Sequence, residues 1–426
     1  MVKRLAGIIF IYLCAAVAWA ILGSTVFLRS NTQDSKLKAA VGQLWGTKQY
    51  QLAPSVYYQT ARKAAIETFD KAGKPVTETK LEYTNHPVPL DASDLKVDLK
   101  LDHRRKGLLW YSTYRVAFAG KYRILNNTGA ARDLTFNFTF PSQTGVYDDF
   151  RLVVGDKKIK DIQVASGQVT QKLKLSPGQA EYVRISYSSQ GMDEWWYAFG
   201  SEVSQVRNFS LAMHTNFGKI DFPQNSMSPT WRARSGGGWD LKWQYTSLLS
   251  GVQIGMAMPK KLNPGPWVGK ITYFAPVSLF FFFFLLLVFT TLRHVKLHPM
   301  HFFFLAAAFF SFHLLLAYLV DHISIAAGFW ICAAVSIFLV VSYMRMVVGV
   351  RFAMLEVGLS QLVYLVGFSY TFFFEQYTGL AVTVLSVVTL FIVMQMTGRV
   401  DWDKVFRGNG EQGQLAVDEP PQTLQR

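Results

Sequence analysis

The chain has 426 residues, of which 50% are hydrophobic and only 17% charged, and its mean hydropathy of +0.18 is too high for an ordinary soluble protein. The 43 Lys and Arg against 28 Asp and Glu leave a net charge of +15. The two cysteines, Cys14 and Cys332, lie in apolar runs, which excludes a disulfide-stapled secreted fold, a cysteine-ligated zinc site and an iron–sulfur centre.

Crossing a hydrocarbon core about 30 Å thick takes about 20 apolar residues at ~1.5 Å each. Six stretches meet that length: 5–28, 271–292, 300–320, 323–343, 352–374 and 379–397. The first, with Lys3 and Arg4 before it and Ala18-Trp19-Ala20 within it, imitates a cleavable signal peptide. Its apolar run continues to Leu28, which suits a retained anchor better than a short signal core. Lys and Arg are kept on the cytoplasmic side of short loops. Lys3 and Arg4, Arg293 and Lys296, Arg345 and Arg351, and finally Arg399, Lys404 and Arg407 occupy one set of connections. The alternate loops carry only Asp321 with His322, and Glu375. This pattern predicts cytoplasmic N- and C-termini and an exported segment 29–270.

That segment holds 33 basic and 20 acidic residues, hence +13 of the total +15. Its start, to about residue 90, reads as partly helical, because Leu37, Ala40, Val41, Leu44 and Trp45 share one helix face. The period then becomes two. Leu95, Val97, Leu99 and Leu101 alternate with polar residues, as do Leu134, Phe136, Phe138 and Phe140, then Val183, Ile185 and Tyr187, then Val252, Ile254, Met256 and Met258. Turn signals at 126–129, 141–142, 176–178 and 236–238 separate such runs. The expected fold is therefore an α+β membrane protein with three parts: an N-terminal transmembrane anchor (1–28), a large exported antiparallel β-sandwich-like domain (29–270), and a C-terminal bundle of five transmembrane helices (271–397). Residues 398–426 are expected to form a cytoplasmic tail, largely disordered.

Several segments resemble the CreD family of bacterial inner-membrane proteins. In the exported part these are Arg104-Arg105-Lys106-Gly107-Leu108-Leu109-Trp110-Tyr111, Tyr147-Asp148-Asp149-Phe150, Ser204-Gln205-Val206-Arg207 and Ser250-Gly251-Val252-Gln253-Ile254-Gly255-Met256. In the apolar part they are Leu297-His298-Pro299-Met300, Ala317-Tyr318-Leu319-Val320-Asp321-His322, Phe374-Glu375 and Gly398-Arg399-Val400-Asp401-Trp402. The resemblance implies a multi-pass protein of the bacterial inner membrane associated with cell-envelope integrity. It supplies no reaction, ligand or catalytic residue.

Candidate chemistry is sparse. Ser93-x-x-Lys96 has the spacing of penicillin-interacting enzymes, but in an alternating strand the two side chains face opposite sides. The acid pairs Asp148-Asp149 and Asp193-Glu194 share that weakness as glycoside-cleaving carboxylates, so no catalytic residue is assigned. Trp195 and Trp196, beside the acids, are candidate partner contacts, with core packing as the competing account. Arg104, Arg105 and Lys106 are candidates for an anionic ligand or a partner's acidic patch, against a solvated strand edge. Within the spans His313 and Glu356 stand out, because intramembrane ionisable groups are costly. A bond from His313 to a neighbouring helix and an ion pair of Glu356 with Arg351 or Arg345 are the simpler explanations. His298 and His301 lack further ligands for a metal.

Together these features predict a non-enzymatic inner-membrane protein that maintains the envelope, needs no cofactor or metal, and engages the bilayer plus a periplasmic protein or an anionic envelope glycan or lipid. Nucleic acid is not an expected partner. A transporter or lipid-handling protein using polar groups of the bundle is the first alternative, and an envelope hydrolase the second.

Overall fold

The computed structural model describes residues 2–69, 75–200, 204–374 and 377–398. The chain divides into two compact units, one formed by the residues up to Asp34 and from Asn263 onward, the other by Ser35–Leu262.

Among the described residues six helices are long and apolar enough to cross a membrane. Helix α1 is Val2–Trp45, α2 Pro264–Leu292, α3 Pro299–Leu319, α4 Ile325–Val348, α5 Val350–Phe373 and α6 Thr378–Thr397. The apolar run 5–28 and the helical face at 37–45 are thus one helix. Nothing interrupts it before Gly46, whose φ of +114° ends the helical conformation. Prolines open α2 and α3 where their missing N–H groups cost nothing, and the Ser324 hydroxyl caps α4 by accepting from the Ala327 N–H.

Within the helical unit, aromatic packing is dense. Trp19 of α1 is fully buried and meets Phe309, Phe310 and His313 of α3 edge to face. Arg29 pairs with Asp321 at 3.1 Å and also donates to the Ala317 carbonyl, tying α1 to the end of α3. Helix α5 departs from regular α geometry, with π-helical stretches at Ala353–Gly358 and Leu362–Gly367. Such widened turns redirect carbonyls and often occur at functional positions. Polar side chains bind α5 to its neighbours. Gln361 Nε2 donates to Ser336 Oγ of α4 at 2.8 Å, Tyr364 Oη meets Thr389 Oγ1 of α6 at 2.6 Å, and Ser278 Oγ of α2 donates to the Tyr364 carbonyl.

The second unit is β-rich. Its strands are β1 (Gln49–Leu52), β2 (Ser55–Phe69), β3 (Pro75–Pro87), β4 (Ala92–Leu101), β5 (Arg104–Lys106), β6 (Leu109–Tyr111), β7 (Thr113–Leu125), β8 (Arg132–Thr139) and β9 (Tyr147–Val154). They continue as β10 (Lys157–Lys158), β11 (Val164–Ala165), β12 (Gln168–Leu175), β13 (Ala180–Met192), β14 (Glu194–Ala198), β15 (Ser204–Thr215), β16 (Trp231–Ser235), β17 (Gly238–Ser250) and β18 (Ile254–Ala257). An eight-stranded sheet in the order β10-β9-β13-β7-β4-β15-β17-β16 and a five-stranded sheet in the order β11-β12-β8-β2-β3 share one continuous apolar core. A three-stranded sheet, β1-β14-β18, and the β5-β6 hairpin complete the unit.

Most of the alternating residues face that core; Leu101 and Phe140 are partly buried against it, and Val252, ahead of β18, is exposed. Leu95, Val97 and Leu99, Leu134, Phe136 and Phe138, Val183, Ile185 and Tyr187, and Ile254, Met256 and Met258 are all buried. Two expectations need correction. The helical part of the stretch to about residue 90 ends at Trp45, and beyond it the chain forms strands β1, β2 and β3, because only 37–45 carries the helical period. The sheets are also not purely antiparallel: β4 pairs with β15 in parallel, and β1 with β14. Both pairings join strands distant in sequence, where no hairpin forces the antiparallel direction.

Candidate functional site

The outer face of the eight-stranded sheet carries a groove of about 540 Å³. It originates in the strand period: with Val97, Phe118, Tyr187, Met213 and Leu241 turned into the core, every second residue must face outward. In the middle of the sheet those outward residues are small. Ala117 and Ala119 of β7, Ser186 and Ser188 of β13 and Ala212 of β15 form a low floor. Alanine is otherwise depleted in strands, where larger side chains cover the pleated surface.

Strand register arranges the charged walls in two rows. One row runs from Arg151 through Ser186, Ala119, Lys96, Ala212 and Lys242 to Trp231, each residue directly paired with the next. Two residues along each strand, and three on the irregularly paired β9, a second row runs from Asp148 through Ser188, Ala117, Asp98 and His214 to Asp240. The first row is basic and ends on an exposed indole, Trp231 being 55% exposed. The second is acidic. Among the described residues Lys96, Arg151 and Lys242 make no ion pair, so their charge faces the groove unneutralised.

Two details shape the acidic row. Between Ser186 and Ser188 the pairing of β9 with β13 shifts by a bulge, and Asp149 there has φ +53°. A bulge re-aims a side chain, and Asp149 lines the groove beside Arg151. At the other end Asp240 Oδ1 lies 2.6 Å from His214 Nδ1. That hydrogen bond, reinforced by one from Ser235, holds the Asp240 carboxyl below the ordinary carboxylate range. Among the described residues Asp98 makes no bond to His214; its ion-pair partner is Lys100, at 3.8 Å, and its Oδ1 is buried with no hydrogen-bond partner.

The residues singled out from sequence fall elsewhere. Trp195 is fully buried and Trp196 is 9% exposed, stacked on Tyr50. Core packing therefore accounts for both rings, and Trp195 offers no face to a partner. The neighbouring acids are taken up, Asp193 by Lys38 at 2.6 Å and Glu194 by Lys48 at 2.8 Å. Burial alone would raise Glu194, but hydrogen bonds from Lys48 and Trp196 outweigh it and keep its carboxyl below the ordinary range. Arg104 lies with its guanidinium 3.4 Å from the centre of the Trp45 ring and pairs with Asp102 at 3.1 Å. Arg105 is exposed, its Nε donating to the Gly107 carbonyl, and Lys106 is half-buried on the same hairpin.

In the helical unit His313 is buried, as expected, but its Nδ1 is 3.2 Å from the carbonyl of Phe309, one turn back on its own helix. Its link to α1 is the edge of the Trp19 ring. Glu356 pairs with Arg293 at 3.1 Å rather than with Arg351 or Arg345, because the turn joining α2 and α3 brings Arg293 to it. His298 caps α3 and His301 bonds to Tyr343 at 2.7 Å; no cluster of metal-ligating side chains occurs among the described residues.

A β-rich unit joined to several helices apolar enough to span a bilayer defines a multi-pass membrane protein. Residues 269–403 match the family model of the inner membrane protein CreD, which bears out the resemblance for the helical part. No curated protein matches the chain. One solved structure, a Legionella pneumophila protein provisionally assigned as a nutrient binding protein, is 11% identical and aligns over 46% of this chain and 73% of its own, with a TM-score of 0.29. A score that low transfers neither fold nor ligand.

Proposed function

We propose that the chain is a non-enzymatic inner-membrane protein that maintains cell-envelope integrity, with its β-unit outside the membrane, both termini cytoplasmic, and the groove engaging an anionic envelope component. The observation that carries this reading is the row Arg151, Lys96 and Lys242, three unpaired cations over a floor of Ala and Ser. Such a surface attracts anions and presents no nucleophile paired with a base. The loop charges support the orientation: Arg293 and Lys296 between α2 and α3, and Arg345 and Arg351 around the α4–α5 break, lie on one side, while Asp321 and His322 lie on the other. The last basic group, Arg399, Lys404 and Arg407, and the expected disordered tail lie outside the described residues, apart from Gly398. Arg105 and Lys106, on the separate β5-β6 hairpin, remain a second candidate contact for an anionic ligand.

Complementation tests the reading. In cells lacking the chain and sensitised to envelope stress, a variant with Lys96→Glu, Arg151→Glu and Lys242→Glu should accumulate normally yet fail to restore resistance. Reversal at Lys157 and Lys158, on the edge strand β10 away from the groove, should restore it. Full rescue by the groove variant would remove the groove from the function.

Transport is the second reading, favoured by the buried and unpartnered oxygens Gln361 Oε1, Ser369 Oγ and Thr272 Oγ1 in the helical unit. Against it, Gln361, Ser336 and Tyr364 already spend their other polar atoms joining helices.

A further inference from the structure

We propose that the groove is built for a zwitterion, a phosphate with an amine a short chain away, rather than for an anion alone. The inference rests on the envelope-binding reading above and names its ligand class.

The argument starts from repetition. Lys96-x-Asp98 on β4, Asp149-x-Arg151 on β9 and Asp240-x-Lys242 on β17 each contribute one cation and one carboxylate to the lining of the groove, Asp94 and Lys100 of β4 lying on the same face outside that lining. Because β9 and β17 run opposite to β4, the reversed order of their charges brings all the cations onto one side of the groove and all the carboxylates onto the other. The rows are two residues apart, about 6.8 Å at ~3.4 Å per residue. The lysine stems are long enough to lean over that gap, and the Ala and Ser floor leaves it open. Yet among the described residues no cation of the first row is paired with a carboxylate of the second. A surface meant only to attract anions would gain nothing from a parallel carboxylate row, which weakens its field.

The walls also differ in kind. Lys96 and Lys242 flank Ala212 on adjoining strands, and two ammonium groups suit a phosphate, which carries more charge than one carboxylate. On the acidic side Asp240 is occupied by His214 and Asp98 Oδ2 lies 3.8 Å from Lys100, which leaves Asp149 and the second oxygen of Asp98 for an amine. An ammonium can donate three hydrogen bonds, and Asp98 Oδ1 is an acceptor with no hydrogen-bond partner of its own.

The test uses the full chain in phosphatidylcholine nanodiscs, titrated calorimetrically with inorganic phosphate, phosphoethanolamine and dihexanoyl phosphatidylethanolamine. Phosphoethanolamine should bind about tenfold more tightly than phosphate, the worth of one charge-assisted contact. Lys96→Ala with Lys242→Ala should weaken both. Asp98→Asn with Asp149→Asn should bring phosphoethanolamine down to the affinity of phosphate and leave phosphate unchanged or tighter. The dihexanoyl lipid binding more tightly than phosphoethanolamine assigns a lipid headgroup; equal affinity assigns a water-soluble phosphate-amine. Phosphate binding as well as phosphoethanolamine, through the lysines, would overturn the zwitterion and keep the anionic reading. Binding by none of the three would overturn both.

Discussion

Phe136→Ala should lower the stability of the β-unit by about 3–5 kcal/mol, the usual cost of deleting a buried aromatic side chain. Phe136 is fully buried on β8, the strand that joins β12 to β2 in the five-stranded sheet, and its ring lies 6.2 Å from that of Tyr122 on the opposite sheet. Truncation therefore opens a void between the sheets that rigid strands on both sides cannot close. For a unit of this size the melting temperature should fall by about 10 °C. Tyr83→Ala is the control, because Tyr83 on the edge strand β3 is 61% exposed and its loss should stay within about 0.5 kcal/mol. Thermal melting of the full chain in detergent, followed by near-ultraviolet circular dichroism, measures both. Equal melting temperatures would mean that the two sheets do not share one core.

The second large effect is expected at Gly46, where the long first helix gives way to β1. Gly46 has φ +114°, and a Cβ there would stand 2.3 Å from the Gln190 carbonyl oxygen. Backbone cannot retreat as a flexible side chain would, so Gly46→Ala must displace either the end of the helix or β13. The cost should be about 2–4 kcal/mol, from the left-handed strain together with the clash. The same substitution at Gly129, which has an ordinary negative φ and open space around it, should be neutral or slightly stabilising. The displacement has a specific readout. Gln49 Nε2 donates to Ser189 Oγ and to the Gln190 carbonyl, both at 2.8 Å, so amide exchange should accelerate at β1 and its parallel partner β14. Unchanged exchange there, with unchanged stability, would contradict the tight junction.

The strands and the helices were legible because each rests on a local period. Leu134, Phe136 and Phe138 announce a half-buried strand without reference to any other residue, and the apolar helices announce themselves by length alone. What the sequence withheld depends on register. Lys96, Arg151 and Lys242 stand on three strands separated by dozens of residues, and only the pairing through β13, β7 and β15 aligns them. One signal was present: Ala117-x-Ala119 and Ser186-x-Ser188 put small residues at the outward positions of two strands, where strand surfaces usually carry larger side chains. The conspicuous clusters misled for a related reason. Trp195 and Trp196 drew notice as aromatics beside acids, but β14 is the middle strand of its sheet and buries both faces. Arg104 looked like a free basic run until the end of α1 brought Trp45 beneath it. The partner of Glu356 was misplaced because Arg351 and Arg345 are near in sequence, whereas Arg293 is near in space.

The central claim, that the β-unit and its groove lie outside the membrane while the chain's ends are cytoplasmic, is open to one direct measurement. A fluorescent protein that matures only in the cytoplasm is fused after Gly178, in the turn between β12 and β13, or after Trp402, beyond the last helix. The account predicts dark cells for the Gly178 fusion and bright cells for the Trp402 fusion at equal abundance. Fluorescence after Gly178 with darkness after Trp402 would contradict it, and would place the groove in the cytoplasm, away from every envelope ligand proposed for it.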